Sequence, residues 1–137
     1  MTWRCLKSGG CSSVLPASRR QIKSSQNRRQ DAGGTIKAFA HITGGGFVDN
    51  IPRVLPKTCD VVIRKGSWDM LPIFKMIEAR GGVPDDELYQ VFNMGIGMVA
   101  IVSAGKVDAV LKFIRAQKHK AWHIGEVVKG NGEARVE

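Results

Sequence analysis

From residue 36 onward, apolar residues fall into four short runs of the kind that form β-strands. These runs occupy residues 36–42, 59–63, 98–102 and 121–128. They are rich in valine and isoleucine, whose branched side chains suit the half-buried surface of a sheet. The run at residues 98–102 reads MVAIV. A run without a polar residue is typical of a central strand that is covered on both faces.

Between these runs, apolar residues recur three or four positions apart, and this spacing predicts helices. A short helix follows residue 46, a second begins near Pro72 and stops at Gly81, a third begins near Pro84, and a fourth spans residues 106–118. The side chains predicted to face the core are Phe47, Ile51, Val54 and Leu55 in the first helix, Ile73, Met76 and Ile77 in the second, Leu88, Val91 and Phe92 in the third, and Val107, Val110, Leu111 and Ile114 in the fourth.

The resulting order, β-α-β-α-α-β-α-β, predicts an α/β (α+β) fold in which helices pack against a sheet. Because two helices follow one another without a strand between them, the sheet is predicted to be mixed rather than purely parallel. A Gly-Asn-Gly turn at residues 130–132 closes the last strand and predicts a short terminal hairpin. At 137 residues, the chain has room for one domain.

Residues 1–33 differ in composition from the rest of the chain. They hold seven basic residues and one acid, so they supply +6 of the net charge of +9. Few of these residues can bury enough apolar surface to offset the entropy of ordering them. We therefore predict a mostly disordered basic leader at residues 1–33, followed by a domain at residues 34–137. Three interpretations of the leader stay open: an artefact of a gene fragment, an organelle transit peptide, or a nucleic-acid-binding tail, which is the weakest because Trp3 is its only aromatic residue.

The sequence carries no signal for several classes of function. No apolar run approaches the length of a membrane span, and no Ser/His/Asp or Cys/His arrangement stands out. Asp85, Asp86 and Glu87 form the densest acidic cluster. Acids in the first turn of a helix are the ordinary outcome, because the helix dipole favours negative charge there. No metal site is predicted.

Three consecutive glycines at residues 44–46 join the first strand to the first helix, and this arrangement suits an anion. Glycines let backbone N–H groups approach a ligand closely, and the first N–H groups of a helix lack partners. Thr43 adds a hydroxyl group, Asn50 an amide and Arg53 a guanidinium group. The sequence thus predicts a phosphate site made by Thr43, Gly44, Gly45, Gly46, Asn50 and Arg53. The competing interpretation is a simple turn.

Two further features belong to this hypothesis. His41 stands just before the glycines, where an imidazole can donate to a phosphate or transfer a proton; the alternative is a histidine that only holds the loop. The segment at residues 93–97 reads NMGIG. Asn93, Gly95 and Gly97 are predicted to line the same site, against the alternative of a turn between helix and strand.

Three motifs resemble one enzyme family. They read HITGGG at residues 41–46, continued by NIPRVLP at residues 50–56, then VFNMGIGM at residues 91–98, and IGEVV at residues 124–128. Their order and intervals are similar to those of the C-terminal domain of phosphoribosylformylglycinamidine cyclo-ligase, also called AIR synthetase. The resemblance covers residue 36 onward. Nothing in this chain resembles the N-terminal ATP-binding domain of that family, and the first strand and helices expected of the C-terminal domain are missing. The resemblance therefore implies that residues 34–137 are an incomplete domain, with an exposed edge or apolar helix face, marginal stability and a tendency to aggregate.

The resemblance implies a partly ferredoxin-like fold and a ligase of de novo purine biosynthesis. That enzyme uses ATP and Mg²⁺ to close the imidazole ring of aminoimidazole ribonucleotide from formylglycinamidine ribonucleotide. It also implies a phosphorylated small-molecule substrate, a homodimer and a cytoplasmic location, or an organelle if the leader is a transit peptide. His41 would be the catalytic residue.

The resemblance leaves the activity of this chain uncertain. Since the ATP-binding half is absent from it, the chain is expected to be inactive alone and to bind neither ATP nor Mg²⁺ tightly. The alternative is a non-catalytic fragment or a domain that depends on a partner. Phosphoribosylformylglycinamidine synthase and thiamine-monophosphate kinase, which share the fold, are the runner-up chemistries. A nucleic-acid-binding module is the weakest hypothesis.

Overall fold

A computed structural model describes residues 3–8 and 34–137 of the chain, the first of these segments as backbone only. The elements in chain order are β1 (Trp3–Ser8), β2 (Ile36–His41), α1 (Gly46–Asn50), β3 (Cys59–Ile63), α2 (Pro72–Gly81), α3 (Asp85–Val91), β4 (Met98–Ser103), α4 (Val107–Ala116), β5 (Ala121–Lys129) and β6 (Ala134–Val136). Short 3-10 turns occupy Pro52–Val54 and Ala104–Lys106. From residue 36, the order of helices and strands is the predicted one.

All six strands form one mixed sheet in the order β2-β4-β1-β5-β3-β6. The pairs β1/β4, β1/β5 and β3/β6 are parallel, whereas β2/β4 and β3/β5 are antiparallel. The predicted mixed sheet with packed helices is therefore confirmed. No helix in the described part of the chain is long and apolar enough to cross a membrane.

Strand β1 lies within the segment for which composition predicts a mostly disordered leader, so the structure differs from that prediction at residues 3–8. The strand sits between β4 and β5, which do not pair with each other, and it is the element that joins the two parts of the sheet. Its backbone gains ladder hydrogen bonds on both edges, a contribution that composition does not reveal. The prediction for residues 9–33 falls outside the described residues.

Strand β6 does not form the terminal hairpin that the Gly-Asn-Gly turn predicts. It pairs in parallel with β3, where Val61 lies opposite Ala134 and Ile63 opposite Val136. The physical reason is that both edges of β5 are already occupied, by β1 and β3. The free edge of β3 is the one that remains for the returning chain.

The buried Asp60 carboxylate holds the turn that leads into β6. Its Oδ1 atom accepts backbone N–H bonds from Asn131, Gly132 and Glu133 at 2.6–3.0 Å, and the Arg135 guanidinium lies 3.6 Å from its Oδ2 atom. These three N–H groups hold the pKa of Asp60 below its ordinary value, and Arg135 adds to the effect. The Asp60 carboxylate thus accepts the N–H bonds of a turn that has no hairpin partner.

The sheet has a core on each face. On one face, Phe47 of α1, the following Ile51, and Leu88 and Tyr89 of α3 pack in one core with Ile124 and other strand residues. On the other face, α4 covers a smaller cluster of Ala100, Val102, Val107, Leu111 and Ala121. Val110 and Ile114 pack against this second cluster, so the stripe predicted for the fourth helix is confirmed.

The predicted apolar faces of α2 and α3 are wrong in part. Ile73 and Met76 remain 46% and 44% exposed, and α2 buries Phe74 instead, whose ring lies 6.0 Å from that of Phe92. In α3, Val91 is 52% exposed, while Leu88 and Tyr89 are buried. One residue turns a helix face by about 100°, and tertiary packing, rather than spacing alone, selected which face turns inward.

Candidate functional site

The two glycine motifs that sequence reasoning singled out meet at one end of the sheet. Strand β2 ends at His41 and β4 begins at Met98, and these two residues are antiparallel partners. The next N–H group, that of Ile42, donates to the carbonyl oxygen of Gly97 at 3.0 Å. The loop at residues 43–45 and the segment at residues 93–97, defined here as the two glycine loops, therefore leave the sheet side by side.

Asn50 fixes the shape of the first glycine loop from inside. It is only 4% exposed. Its Nδ2 atom donates to the carbonyl oxygens of Gly46 at 2.7 Å and Gly44 at 3.2 Å, and its Oδ1 atom accepts from the Thr43 hydroxyl at 3.3 Å. The amide that the sequence offered as a ligand contact is thus occupied within the loop, and the geometry gives Asn50 a positioning role.

Two of the three consecutive glycines are required by the backbone. Gly45 and Gly46 have φ of +91° and +53°, in the left-handed region that favours glycine. A Cβ atom on Gly46 would overlap the Tyr89 carbonyl oxygen and stand 2.9 Å from the carbonyl carbon of Gln90. The N–H of Gly46 donates to the Thr43 carbonyl oxygen at 3.1 Å, so this amide is not available to a ligand.

Gly44 and Gly97 are different. Neither has a left-handed φ, and a Cβ atom on either residue would meet no heavy atom within 4 Å. The fold therefore does not demand glycine at these two positions. Among the described residues, no acceptor takes the N–H of Gly44 or Gly45. Open backbone with unpaired N–H donors beside a second glycine loop is a surface that an anion can approach closely.

The second loop is also held by its own side chains. The Asn93 Oδ1 atom accepts the N–H of Gly95 at 3.0 Å, and Gly95 has a φ of +86° with Leu71 against it. The indole N–H of Trp68 donates to the Met94 carbonyl oxygen at 3.1 Å. Sequence reasoning missed Trp68, because it lies in a turn outside any periodic stripe.

His41 and Arg53 are the two ionisable residues predicted for the site, and both are exposed. His41 stands at the mouth of the first loop, where its backbone pairs with Met98. Arg53 lies on the 3-10 turn Pro52–Val54 that follows α1. Both side chains are available to a ligand in solution.

The acidic cluster at the start of α3 is part of an ion-pair network. The Lys65 ammonium contacts the carboxylates of Asp85 and Asp86 and lies 5.2 Å from the centre of the Tyr89 ring. Hydrogen bonds to the two aspartates raise the pKa of Lys65 above its ordinary value. In the part of the chain that the structure describes, no three His, Cys, Asp or Glu side chains are grouped to hold a metal ion.

Replacing Asn50 with aspartate tests the positioning role. A carboxylate would face two carbonyl oxygens in a buried place and could donate to neither, so we expect a loss of about 2–4 kcal/mol of unfolding free energy in urea. Thr43→Ala removes a single 3.3 Å bond and serves as the control, with an expected loss of about 1 kcal/mol or less. Equal losses for the two variants would contradict the role assigned to Asn50.

Comparison with known proteins matches residues 9–137 to the family described as AIR synthase related protein, C-terminal domain. A phosphoribosylformylglycinamidine cyclo-ligase of Geobacillus thermodenitrificans is 49% identical over 98 residues, which are 72% of this chain and 28% of that protein. Proteins of the same name from Caldicellulosiruptor bescii and Trichlorobacter lovleyi are 50% identical over 95 residues and 44% identical over 114 residues. These cover 69% and 83% of this chain, but only 28% and 32% of the relatives. The chain thus spans less than a third of the length of these relatives.

Proposed function

Because the chain belongs to the AIR synthase related protein C-terminal domain family, we propose that it supplies the C-terminal portion of a phosphoribosylformylglycinamidine cyclo-ligase. The parent reaction is the ATP-dependent closure of formylglycinamidine ribonucleotide to aminoimidazole ribonucleotide. In this proposal the two glycine loops seat a phosphate group, and the chain alone does not turn over. We extend the proposal to a cytoplasmic, homodimeric parent enzyme.

The observation that carries the proposal is the open space at Gly44 and Gly97. Glycine costs conformational entropy relative to residues with a side chain, and at these two positions the fold gains nothing in return. A ligand that must approach the backbone closely would explain glycine at both positions. The N–H groups of Gly44 and Gly45 would then donate to phosphate oxygens.

The remaining residues divide into two groups. His41, Thr43 and Arg53 would contact the ligand, with His41 donating a hydrogen bond or transferring a proton and Arg53 neutralising charge. Gly46, Asn50, Asn93 and Gly95 would keep the loops in shape. The first group is exposed, and the second is bonded within the loops. The Thr43 hydroxyl, which donates to Asn50 at 3.3 Å, would turn to the ligand.

ATP and Mg²⁺ belong to the parent reaction, in which ATP would activate the formyl oxygen of the substrate as a phosphoryl ester. The described residues suit a phosphate group but offer no cluster of metal ligands. In this proposal the residues of the chain orient the phosphorylated substrate.

A second candidate function is a domain without its own catalysis, active only with a partner or not at all. The hydrogen bonds that already occupy the Asn50 and Asn93 side chains within their loops favour it. It differs from the first proposal in one respect: the two glycine loops would then have no ligand to bind once the rest of the enzyme is supplied.

A chimera separates these candidates. Residues 36–137 would replace the matching segment of the Geobacillus thermodenitrificans relative, and ATP-dependent ring closure would be measured by ADP release. We expect a folded, active chimera. Gly44→Val and Gly97→Val should each lower kcat/KM at least about tenfold, which corresponds to about 1.4 kcal/mol, with the melting temperature unchanged. A folded but inactive chimera, or valine variants with full activity, would refute the proposed site.

A further inference from the structure

An apolar groove of about 670 Å³ runs between β2 and α4, on the face of the sheet opposite α1 and α3. Seven large hydrophobic side chains are exposed in the described part of the chain, and three of them, Ile36, Phe39 and Phe113, line this groove. Phe113 is the most exposed of the seven, at 67%. Exposed apolar side chains that converge on one groove mark a binding surface, and the volume is within the range of about 300–1,000 Å³ that small-molecule sites occupy.

The ionisable side chains that line this groove are basic. Among the described residues, the lining contains Lys106 near the start of α4 and His119 beyond the end of α4, and no acid. The two ends of α4 are about 15 Å apart, because each residue of an α-helix adds 1.5 Å to its length. An elongated apolar molecule lying along α4 would therefore meet a basic group at either end.

His119 also lines a second, polar pocket of about 430 Å³ at the turn between α4 and β5. This pocket brings together Arg115, Lys118 and Lys120, and Asp69 is the one acid among the described residues that line it. The guanidinium of Arg115 is fixed there, because its Nε and Nη2 atoms donate to the Ala121 carbonyl oxygen at 3.0 and 2.7 Å. The apolar groove and the basic pocket are thus adjoining parts of one surface.

We propose that this surface binds an amphipathic anion, whose alkyl or aryl body lies in the groove along α4 and whose carboxylate or phosphate head reaches the basic pocket past His119. The apolar body would bury Phe39 and Phe113, and the head would be neutralised by Lys118 and Lys120. The surface involves none of the residues of the two glycine loops, so this inference stands independently of the proposed cyclo-ligase function.

The test is equilibrium dialysis of the full chain with dodecanoate below its critical micelle concentration. We expect saturable binding to one site. Phe113→Ser should weaken it at least about tenfold, since the substitution removes a large apolar side chain that the alkyl chain would cover. The double substitution Lys118→Glu with Lys120→Glu should weaken dodecanoate and dodecyl phosphate alike. All three side chains are exposed, so these variants should keep the wild-type melting temperature.

Met76→Ser is the matched control, because Met76 is 44% exposed and lies outside the groove. An equal loss for Met76→Ser and Phe113→Ser would mean non-specific adsorption and would overturn the proposal. Equal affinity for dodecyltrimethylammonium would overturn the assignment of an anionic head. Absence of saturable binding would overturn the site altogether. It would do so equally if another part of the chain covered the groove, if sedimentation velocity showed a second copy there, or if only phosphatidylglycerol vesicles bound.

Discussion

Replacing Gly46 with alanine is expected to unfold the domain or to cost about 3 kcal/mol or more of unfolding free energy. The residue has a φ of +53°, and its Cβ atom would overlap the Tyr89 carbonyl oxygen. Left-handed backbone costs a residue with a side chain about 1–2 kcal/mol, and overpacking adds about 1–3 kcal/mol. Since small domains are stable by only about 5–15 kcal/mol, urea denaturation should show a large shift of the midpoint.

Gly44→Ala is the matched control two positions away. No heavy atom lies within 4 Å of its Cβ position and its φ is not left-handed, so the expected change is within about 0.5 kcal/mol. If both variants lost the same stability, the distinction between glycines that shape the loop and glycines that face a ligand would fail. The comparison thus tests the structural basis of the proposed phosphate site without any activity measurement.

Replacing Asp60 with alanine is the second change with a large expected effect. It leaves the N–H groups of Asn131, Gly132 and Glu133 without their acceptor and releases Arg135. Three hydrogen bonds to one charged acceptor are lost at once, so we expect a much lower urea midpoint and early exchange of the amide hydrogens of β6. Asp60→Asn keeps an acceptor oxygen and should lose less.

The same carboxylate makes stability depend on pH. Its pKa is lower in the folded chain than the value of about 3.9 in an unfolded one. Its contribution is therefore fully present above about pH 4 and is lost as the pH falls through the folded pKa. Urea midpoints measured between neutral and acidic pH should fall more steeply for the wild type than for Asp60→Asn.

Glu126→Gln is the control for both experiments on Asp60. Glu126 lies on β5 and forms an ion pair with Arg64 at 3.3 Å, in which the side chains are 44% and 50% exposed. Exposed pairs contribute about 0–1 kcal/mol, so neither the midpoint nor its dependence on pH should change appreciably. An acid slope that is unchanged in Asp60→Asn would show that other carboxylates control the transition.

For the candidate site, the sequence could predict where its two loops lie along the chain. The motifs HITGGG and NMGIG mark the two loops, and the adjoining strand patterns place the first loop after β2 and the second before β4. Neither motif shows that β2 and β4 are neighbours. The hydrogen bond from Ile42 to Gly97 could therefore not be predicted from them. Nothing in the motifs indicates that the Asn50 side chain is buried whereas that of Arg53 is exposed.

By itself, the sequence determined the order of helices and strands from residue 36, the apolar stripe of α4, and the two glycine-rich turns, because periodicity and backbone dihedrals are local properties. Only the tertiary structure decided that β1 joins β4 to β5, that β6 pairs with β3, that α2 buries Phe74 rather than Ile73, and which glycines face open space. Each of these outcomes depends on which strand edges and side-chain volumes remain available once distant residues have packed, and that information is not contained in any short stretch of chain.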